Sequence, residues 1–193
     1  MKKDENYYLD ILKESGAILS GHFLLTSGLH SATYVEKFKI LQYPLLCDKL
    51  CRGIAKNFEN LRPNVVLGAA TGGIIISHSV GRALSTRSIF AERENNELVL
   101  RRGFNIANGE RVVIVDDVVT TGGSLLELID LATKYGGYIL GIGVLIDRSG
   151  GKINFGFPFH SLITLDIPAY KPDECPQCLA NIPLTTRGRT GKL

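Results

Sequence analysis

The sequence lacks an apolar run long enough to cross a bilayer. No apolar stretch in the 193 residues approaches the roughly 20 that a membrane-spanning helix needs. Residues 1–6 lead into an amphipathic stretch that has no apolar core of the kind found in signal peptides. These two absences predict a cytoplasmic protein with no membrane partner.

The chain also has little net charge. Its 22 Lys and Arg residues exceed its 19 Asp and Glu residues by only three. No basic run before the tail is longer than two residues, whereas nucleic-acid binding surfaces cluster Lys and Arg. The composition therefore predicts no nucleic-acid partner. A weakly basic protein is also compatible with an anionic small-molecule substrate.

Cysteine is scarce, with four residues in the whole chain. In a cytosolic protein these four need not form disulfides. A tetrahedral zinc site needs four ligands, and Cys-x-x-Cys occurs once, at Cys175 and Cys178, so we expect no structural metal there. Cys47 and Cys51 share one helical face and could complete a set, which remains an alternative. The four histidines are scattered and are expected to have no catalytic role: His22, His30, His78 and His160.

Apolar runs alternate with helical patterns through the middle of the chain. Uniformly apolar strands that alternate with helices predict an α/β fold, with a central parallel sheet flanked by helices. In such sheets ligands bind beyond the carboxyl ends of the strands. The strand-like runs are 65–67, 88–91, 111–115 and 138–146, and the helical patterns end near residues 84 and 135.

One domain over residues 1–193 is predicted, because this length suits one sizeable core and neither a repeat nor a linker divides it. Residues 17–40 have the pattern of short strands, with a turn at 27–31. Pro44 then begins a helix. After residue 167 the sequence is rich in Pro, Cys and Gly and predicts an irregular tail.

The most informative segment runs from strand to helix through two acids and a small-residue turn, as Val-Val-Ile-Val-Asp-Asp-Val-Val-Thr-Thr-Gly-Gly-Ser over 112–124. The turn supplies backbone N–H groups, three hydroxyls and the positive end of a helix dipole, which together form a phosphate cradle. Gly122 and Gly123 allow the backbone to approach a phosphate closely. Asp116 and Asp117 stand at the carboxyl end of the strand.

The segment differs from two common phosphate motifs. It has no lysine after the glycines, as a Walker A loop would, and it has no G-x-G-x-x-G pattern. Two carboxylates beside a phosphate would repel it. They are therefore expected to face other groups of the ligand, such as ribose hydroxyls or a hydrated magnesium ion. A 5-phosphoribosyl ligand combines these features. In the alternative interpretation Asp116 and Asp117 cap the next helix and the turn is an ordinary β–α connection.

This segment resembles the phosphoribosyl-pyrophosphate signature of the type I phosphoribosyltransferases. Residues 21–31 with Tyr34, Asp147-Arg148, and the tail segment 175–184 are similar to the orotate phosphoribosyltransferases. The resemblance covers nearly the whole chain. It implies the type I phosphoribosyltransferase fold, with a small hood (about 1–40 plus the C-terminal tail) beside a core of about 44–167. It also implies transfer of 5-phosphoribosyl from phosphoribosyl pyrophosphate to orotate, giving orotidine 5′-phosphate and pyrophosphate in de novo pyrimidine (UMP) synthesis.

The resemblance also implies roles for individual residues. Asp116 and Asp117 are expected to act in catalysis by holding the ribose hydroxyls and a Mg²⁺ ion, which they contact through water and the substrate. Thr120 and Arg148 are expected to contact orotate, because its carboxylate needs a permanently charged partner. Thr120 is also expected to bind phosphoribosyl pyrophosphate, together with Thr71, Gly72, Gly73, Arg93, Val118, Val119, Thr121, Gly122, Gly123 and Ser124.

The sequence departs from the family where cations are usual. Many relatives have a lysine near Gly72, and another often stands where Glu94 is found here. The three loop arginines, Arg93, Arg101 and Arg102, are therefore the expected catalytic cations. The resemblance places them on a mobile loop that closes over the neighbouring subunit's site, which implies a homodimer with a shared active site. Closure would exclude water while the arginines stabilise charge on the leaving pyrophosphate.

Two other functions remain as alternatives. A purine-type phosphoribosyltransferase has the same fold, but the Asp147-Arg148 pair disfavours a purine. A non-catalytic regulator could sense phosphoribosyl pyrophosphate through the same turn, although such regulators usually carry an added DNA-binding segment for which 193 residues leave no room. Because the loop lacks the lysines that are usual in the family, a regulator remains an alternative. Arg148 itself could instead form a surface ion pair with Asp147 or Glu110.

Overall fold

The structure is a computed structural model that describes residues 2–25 and 27–186. The helices within these residues are α1 (Lys2–Glu14), α2 (Phe38–Leu41), α3 (Pro44–Ala55), α4 (Gly72–Ala83), α5 (Gly123–Lys134) and α6 (Pro176–Leu179). The strands are β1 (Ile18–Leu24), β2 (His30–Val35), β3 (Val65–Ala69), β4 (Arg87–Glu94), β5 (Glu97–Leu100), β6 (Arg111–Val119), β7 (Tyr138–Asp147), β8 (Phe159–Thr164) and β9 (Thr185–Thr186). No helix in this part of the chain is both long and apolar enough to cross a membrane.

A six-stranded sheet in the order β5-β4-β3-β6-β7-β8 lies at the centre. Its neighbouring strands are parallel except β4 and β5, which form an antiparallel hairpin. The predicted α/β fold with a central parallel sheet is thus confirmed. The sequence analysis did not predict β5 or β8, which are only four and six residues long.

Helices cover both faces of this sheet, and the strand residues alternate between two cores. Val66 and Val113 face the cluster that includes α3 and α4. Leu67 and Ile114 face the cluster that includes α5. Because both faces are buried, the strands have to be apolar at successive positions, and this is the pattern that made them recognisable in the sequence.

The order of the strands places a crevice between β3 and β6. The chain leaves β3 through α4 to reach β4 on one side, and later returns to add β6 on the other side. Loops at the carboxyl ends of β3 and β6 therefore diverge, and ligands of open α/β sheets bind at such a point. Residues 70–73 and the segment from Asp116 onward lie on the two sides of this crevice.

A second sheet, in the order β2-β1-β9, joins the two ends of the described chain. β1 and β2 are antiparallel, and the short β9 adds parallel to β1. The tail is more regular than the sequence predicts. It contains a 3-10 turn at Pro172–Glu174, then α6, then β9, because β1 offers it a free edge to pair with.

Candidate functional site

The two acids lie within β6 and not beyond its end. The sequence placed them after the strand, but β6 continues its pairing with β7 as far as Val119, which lies opposite Asp147. Side chains alternate along a strand, yet both carboxylates reach the start of α4, since a Cβ on Gly73 would lie 3.6 Å from Asp116 Oδ1 and one on Gly72 would contact Asp117 Oδ2. Asp117 is 3% exposed and lies on the side of α4, whereas Asp116 is half-buried.

Both carboxylates are held by backbone N–H groups of the strand. The N–H of Asp117 donates to Asp116 Oδ1 at 2.9 Å, and the N–H of Val118 donates to Asp117 Oδ1 at 2.7 Å. The second oxygen of Asp117 forms an ion pair with Lys37, whose Nζ lies 2.6 Å from Oδ2. Asp117 is therefore fixed in orientation, with its second oxygen next to a cation.

Glycines bring the loop after β3 against this acid pair. A Cβ on Gly72 would lie 1.7 Å from Asp117 Oδ2, so only glycine lets the backbone pass there. A Cβ on Gly68 would lie 2.3 Å from the carbonyl oxygen of Gly73, which shows how tightly the chain folds back into α4. Thr71, between these contacts, is exposed. The loop and the acids thus form one continuous surface.

Lys37 was missed in the sequence analysis. It lies just before α2, between the hood and the core, and its Nζ would be 3.4 Å from a Cβ on Gly72. It therefore supplies a positive charge close to where many relatives have a lysine in the loop itself. A single sequence carried no signal for it, because nothing around Lys37 forms a motif and Asp117 is far away along the chain.

The turn after β6 has the form of an anion cradle. Gly122 has φ of +83° and precedes α5, and no side chain caps that helix, so its first N–H groups have no partner within the helix. A Cβ on Gly122 would also lie 2.9 Å from the ring of Phe155, which supports the turn from below. Thr120 and Thr121 are exposed at its surface.

Arg148 lies beside this turn with its guanidinium partly buried. The backbone N–H of Arg148 donates to the carbonyl oxygen of Val119 at 2.8 Å. Arg148 is therefore adjacent to Thr120 across the sheet edge. Its Nε is buried and has no hydrogen-bond partner among the described residues. Burial lowers the pKa of the guanidinium, while Tyr34 of the hood raises it.

The surface ion pair considered for Arg148 does not form, because both proposed partners are engaged elsewhere. The carboxylate of Asp147 accepts the N–H groups of Ser149 at 2.7 Å and Gly151 at 3.0 Å. Glu110 pairs with Arg87 at 2.7 Å. Asp147 thus holds the turn that carries Arg148, and neither carboxylate pairs with the guanidinium.

The loop arginines lie apart from the acid pair and each one pairs with a carboxylate. The segment in which the sequence placed a mobile loop begins as the β4–β5 hairpin, whose turn residues Asn95 and Asn96 both have positive φ. This is the conformation of a two-residue hairpin turn. The ion pairs are Arg93–Glu127 at 2.7 Å, Arg101–Glu94 at 3.0 Å and Arg102–Glu92 at 2.8 Å.

The cysteines and histidines are arranged differently from the sequence expectation. Cys47 and Cys51 contact each other in the core, with their Sγ atoms 3.8 Å apart, and so cannot complete a set with the Cys-x-x-Cys pair. His22 and His30 lie at that pair instead, with all four ligand atoms within 4.8 Å of one another. The sequence predicted no metal here because Cys175 and Cys178 supply only two ligands. With the two histidines beside them, four ligands are present, so that reason no longer holds.

Comparisons with known proteins agree with this geometry. The sequence model of a family described as the phosphoribosyl transferase domain matches residues 39–166. The chain is 47% identical to an orotate phosphoribosyltransferase of Caldicellulosiruptor saccharolyticus over 181 residues, 94% of this chain and 95% of the relative. Its fold resembles an orotate phosphoribosyltransferase of Aeropyrum pernix, with a TM-score of 0.68 and 28% identity, over 81% of this chain and 92% of that one. It also resembles the UMP synthase of Leishmania donovani, with a TM-score of 0.70 and 25% identity, over 82% of this chain and 36% of that longer one.

Proposed function

Since the chain belongs to the phosphoribosyltransferase family, in the branch of the orotate phosphoribosyltransferases, we propose that it transfers 5-phosphoribosyl from phosphoribosyl pyrophosphate to orotate. A ring nitrogen of orotate forms a bond to the anomeric carbon of the ribose and releases its proton to water. The bond from that carbon to pyrophosphate breaks, and pyrophosphate leaves with the electron pair. The product is orotidine 5′-phosphate, which places the protein in the synthesis of pyrimidine nucleotides.

The observation that carries this proposal is the partly buried guanidinium of Arg148 next to the phosphate cradle, whose Nε has no hydrogen-bond partner within residues 2–25 and 27–186. A buried charge without a partner costs free energy, so a fold that keeps one offers it to a ligand of opposite charge. Orotate has a planar carboxylate that a guanidinium can bind with two parallel hydrogen bonds. Thr120, which follows the Val119 carbonyl that accepts the backbone N–H of Arg148, and Tyr34, whose charge acts on the Arg148 guanidinium, would contribute to a pocket for the base.

The remaining groups suit the phosphoribosyl end of the substrate. The turn that leads into α5 would bind the 5′-phosphate with its free N–H groups. Asp116 and Asp117 would accept hydrogen bonds from the two ribose hydroxyls. The loop of residues 71–73 would lie under the pyrophosphate, and Lys37 would supply the positive charge that this loop lacks.

Asp116 and Asp117 fit a magnesium ion that is held through water. The Oδ1 of Asp117 accepts a backbone N–H and its Oδ2 pairs with Lys37, which leaves little of this carboxylate for direct coordination. Mg²⁺ gives up its waters reluctantly and is often bound through one or two carboxylates and substrate phosphates. When bound, the ion would neutralise charge on the leaving pyrophosphate.

The loop arginines are proposed to act across a homodimer. Each guanidinium is paired with an exposed or half-exposed carboxylate of its own chain, and such pairs contribute little stability. Pyrophosphate, with its higher charge, could therefore displace a carboxylate at small cost. Closure of this segment over the partner subunit's site would bring the cations to the leaving group and exclude water. The cytoplasmic location expected from the sequence stays a prediction.

A product assay with a panel of bases tests the proposed function. Purified protein is incubated with phosphoribosyl pyrophosphate and orotate, uracil, adenine or hypoxanthine, with magnesium or with a chelator. We expect turnover with orotate and magnesium only. Asp117→Asn should lose most of it while the protein stays folded, because one ribose and metal contact is removed.

Other outcomes would decide between the alternatives. Turnover of a purine would favour the purine-type enzyme, for which Arg148 would need another explanation. Binding of phosphoribosyl pyrophosphate without any product would favour the regulator. Wild-type turnover by Asp117→Asn at saturating magnesium would contradict the proposed role of the acid pair.

A further inference from the structure

We propose that His22, His30, Cys175 and Cys178 form a closed structural zinc site that fastens the C-terminal segment to the hood. The first three side chains are buried and Cys178 is half-buried. Two thiolates and two imidazoles are a common ligand set for structural zinc. The charges of two thiolates balance that of Zn²⁺, so the complete site is neutral and suits a buried position.

The distances between the ligand atoms suit a single central ion. His22 Nε2 lies 2.9 Å from His30 Nδ1, and His30 Nδ1 lies 3.2 Å from Cys178 Sγ. His22 Nε2 is also 3.5 Å from Cys175 Sγ and 3.6 Å from Cys178 Sγ. A tetrahedron built on ordinary Zn–N and Zn–S bond lengths has N···N edges of about 3.3 Å and N···S edges of about 3.6 Å. These four distances lie within a few tenths of an ångström of those edges, and all pairs of ligand atoms in the group lie within 4.8 Å of one another.

Hydrogen bonding alone does not explain why these atoms converge. The Nδ1 of His22 lies 2.7 Å from the carbonyl oxygen of Ile182, and a carbonyl can only accept, so Nδ1 carries the proton. The Nε2 of a neutral ring then has one lone pair. Three groups approach that single lone pair, those of His30, Cys175 and Cys178, and at most one of them can donate to it. One ion at the centre would engage all four ligands at once.

The contact of His22 with Ile182 is also what a zinc-bound histidine needs. Ligating histidines usually donate their second ring N–H to a carbonyl or carboxylate, which fixes the tautomer and the ring orientation. Here that partner comes from the segment that also carries both cysteines. The N–H of Ile182 donates to the carbonyl oxygen of Gln177 at 3.0 Å, so the same short segment holds both thiols and the carbonyl that contacts His22.

The backbone of the hood is shaped to present both histidines. The register of β1 and β2 shifts between Ser20 and Phe23, and beyond that bulge Leu24 lies opposite His30. His22, two residues before Leu24, therefore faces the same side as His30; without the bulge it would face the other side. His30 is further held by two backbone hydrogen bonds with Tyr170, each 2.8 Å long.

The consequence of metal binding would be structural. All four positions of a tetrahedron are taken by protein, which leaves none for a substrate and distinguishes the site from a catalytic one. The ligands come from the two ends of the chain, which are otherwise joined here by the two-residue β9 and a few hydrogen bonds. Zinc would thus supply most of the connection between tail and hood.

Metal analysis of the untagged protein tests the proposal. Protein made in zinc-supplemented medium and purified without chelator should contain one zinc per chain, released by a mercurial that blocks thiolates. Cys178→Ser and His22→Asn should reduce zinc to below about a tenth of that content. Trypsin should then cut the C-terminal segment of these variants faster than in the wild type.

Two controls in the same chain separate loss of ligands from general damage. Cys47→Ser removes a buried thiol outside the cluster, and His78→Asn removes an exposed imidazole; both should keep a full complement of zinc. A wild-type protein without zinc, or with a Cys175–Cys178 disulfide in its place, would overturn the proposal. So would an unchanged zinc content in Cys178→Ser. If that variant failed to fold, the wild-type zinc content and its release by the mercurial would still decide.

Discussion

Replacing Arg148 by methionine separates a ligand-binding arginine from a structural one. Methionine keeps much of the length and apolar surface of the side chain and removes the charge. If the guanidinium is kept for orotate, Arg148→Met should weaken orotate binding and leave the ligand-free protein at least as stable as the wild type. A structural arginine would show the opposite combination.

The magnitude follows from the environment of the guanidinium. Losing a desolvated, doubly hydrogen-bonded charge partner costs about 2–5 kcal/mol, or roughly 30-fold to several-thousand-fold in orotate affinity. Phosphoribosyl pyrophosphate affinity should stay within a few-fold, because Arg148 lies at the base and not at the acid pair.

The same substitution that weakens orotate binding should leave the ligand-free protein as stable as the wild type or more stable. Burial holds the pKa of Arg148 below its usual value, so the charged form is disfavoured in the folded state throughout the ordinary pH range. The buried Nε also lacks a partner, and an unsatisfied buried donor costs about 1–3 kcal/mol. Arg148→Met should therefore raise the free energy of unfolding by zero to about 3 kcal/mol, or up to several degrees in Tm.

The assay needs orotate titrations and thermal unfolding of the free protein, with Arg87→Met as the matched control. Arg87 pairs with Glu110 at 2.7 Å and donates to the carbonyl oxygen of Asn105 at 2.7 Å. Arg87→Met should lower the free energy of unfolding by about 1 kcal/mol, as for other half-exposed ion pairs. It should leave orotate affinity unchanged. The reasoning is refuted if Arg148→Met loses stability as Arg87→Met does, or binds orotate normally.

Two further predictions concern the cations around the acid pair. Lys37→Met should lower kcat/KM for phosphoribosyl pyrophosphate by about 5- to 30-fold, or 1–2 kcal/mol for a charge that is partly screened by solvent. Lys39→Met, two residues further along and within α2 but with its Nζ next to Gly16, should leave kcat/KM unchanged. Equal losses in the two variants would contradict the role of Lys37. Mixing Asp117→Asn with a variant whose three loop arginines are all alanine should restore about a quarter of wild-type turnover, since half of randomly formed dimers have one intact site. No recovery after subunit exchange would rule out a shared site.

The sequence alone was sufficient for features that depend on neighbours along the chain. The apolar strands of the sheet were recognisable because both of its faces are covered, which requires apolar residues at successive positions. The segment from Val112 to Ser124 was recognisable because strand, acids, turn and helix follow one another without interruption. Arg148 could be proposed as a ligand residue because the Asp147-Arg148 pair, at the end of a predicted strand, resembles the corresponding pair of the orotate phosphoribosyltransferases.

Only the tertiary structure brought together groups that are distant in sequence. Lys37 reaches Asp117 because the hood folds back over the carboxyl ends of the strands. His22 and His30 reach Cys175 and Cys178 because β9 pairs with the edge of β1 and because a one-residue bulge turns His22 to the correct face. The alternatives for Arg148 were removed by hydrogen bonds and ion pairs that engage Asp147 and Glu110 elsewhere. Such contacts depend on which strands become neighbours and on their register, and a shift of one residue reverses the face of every side chain that follows. A local pattern in the sequence does not contain that information.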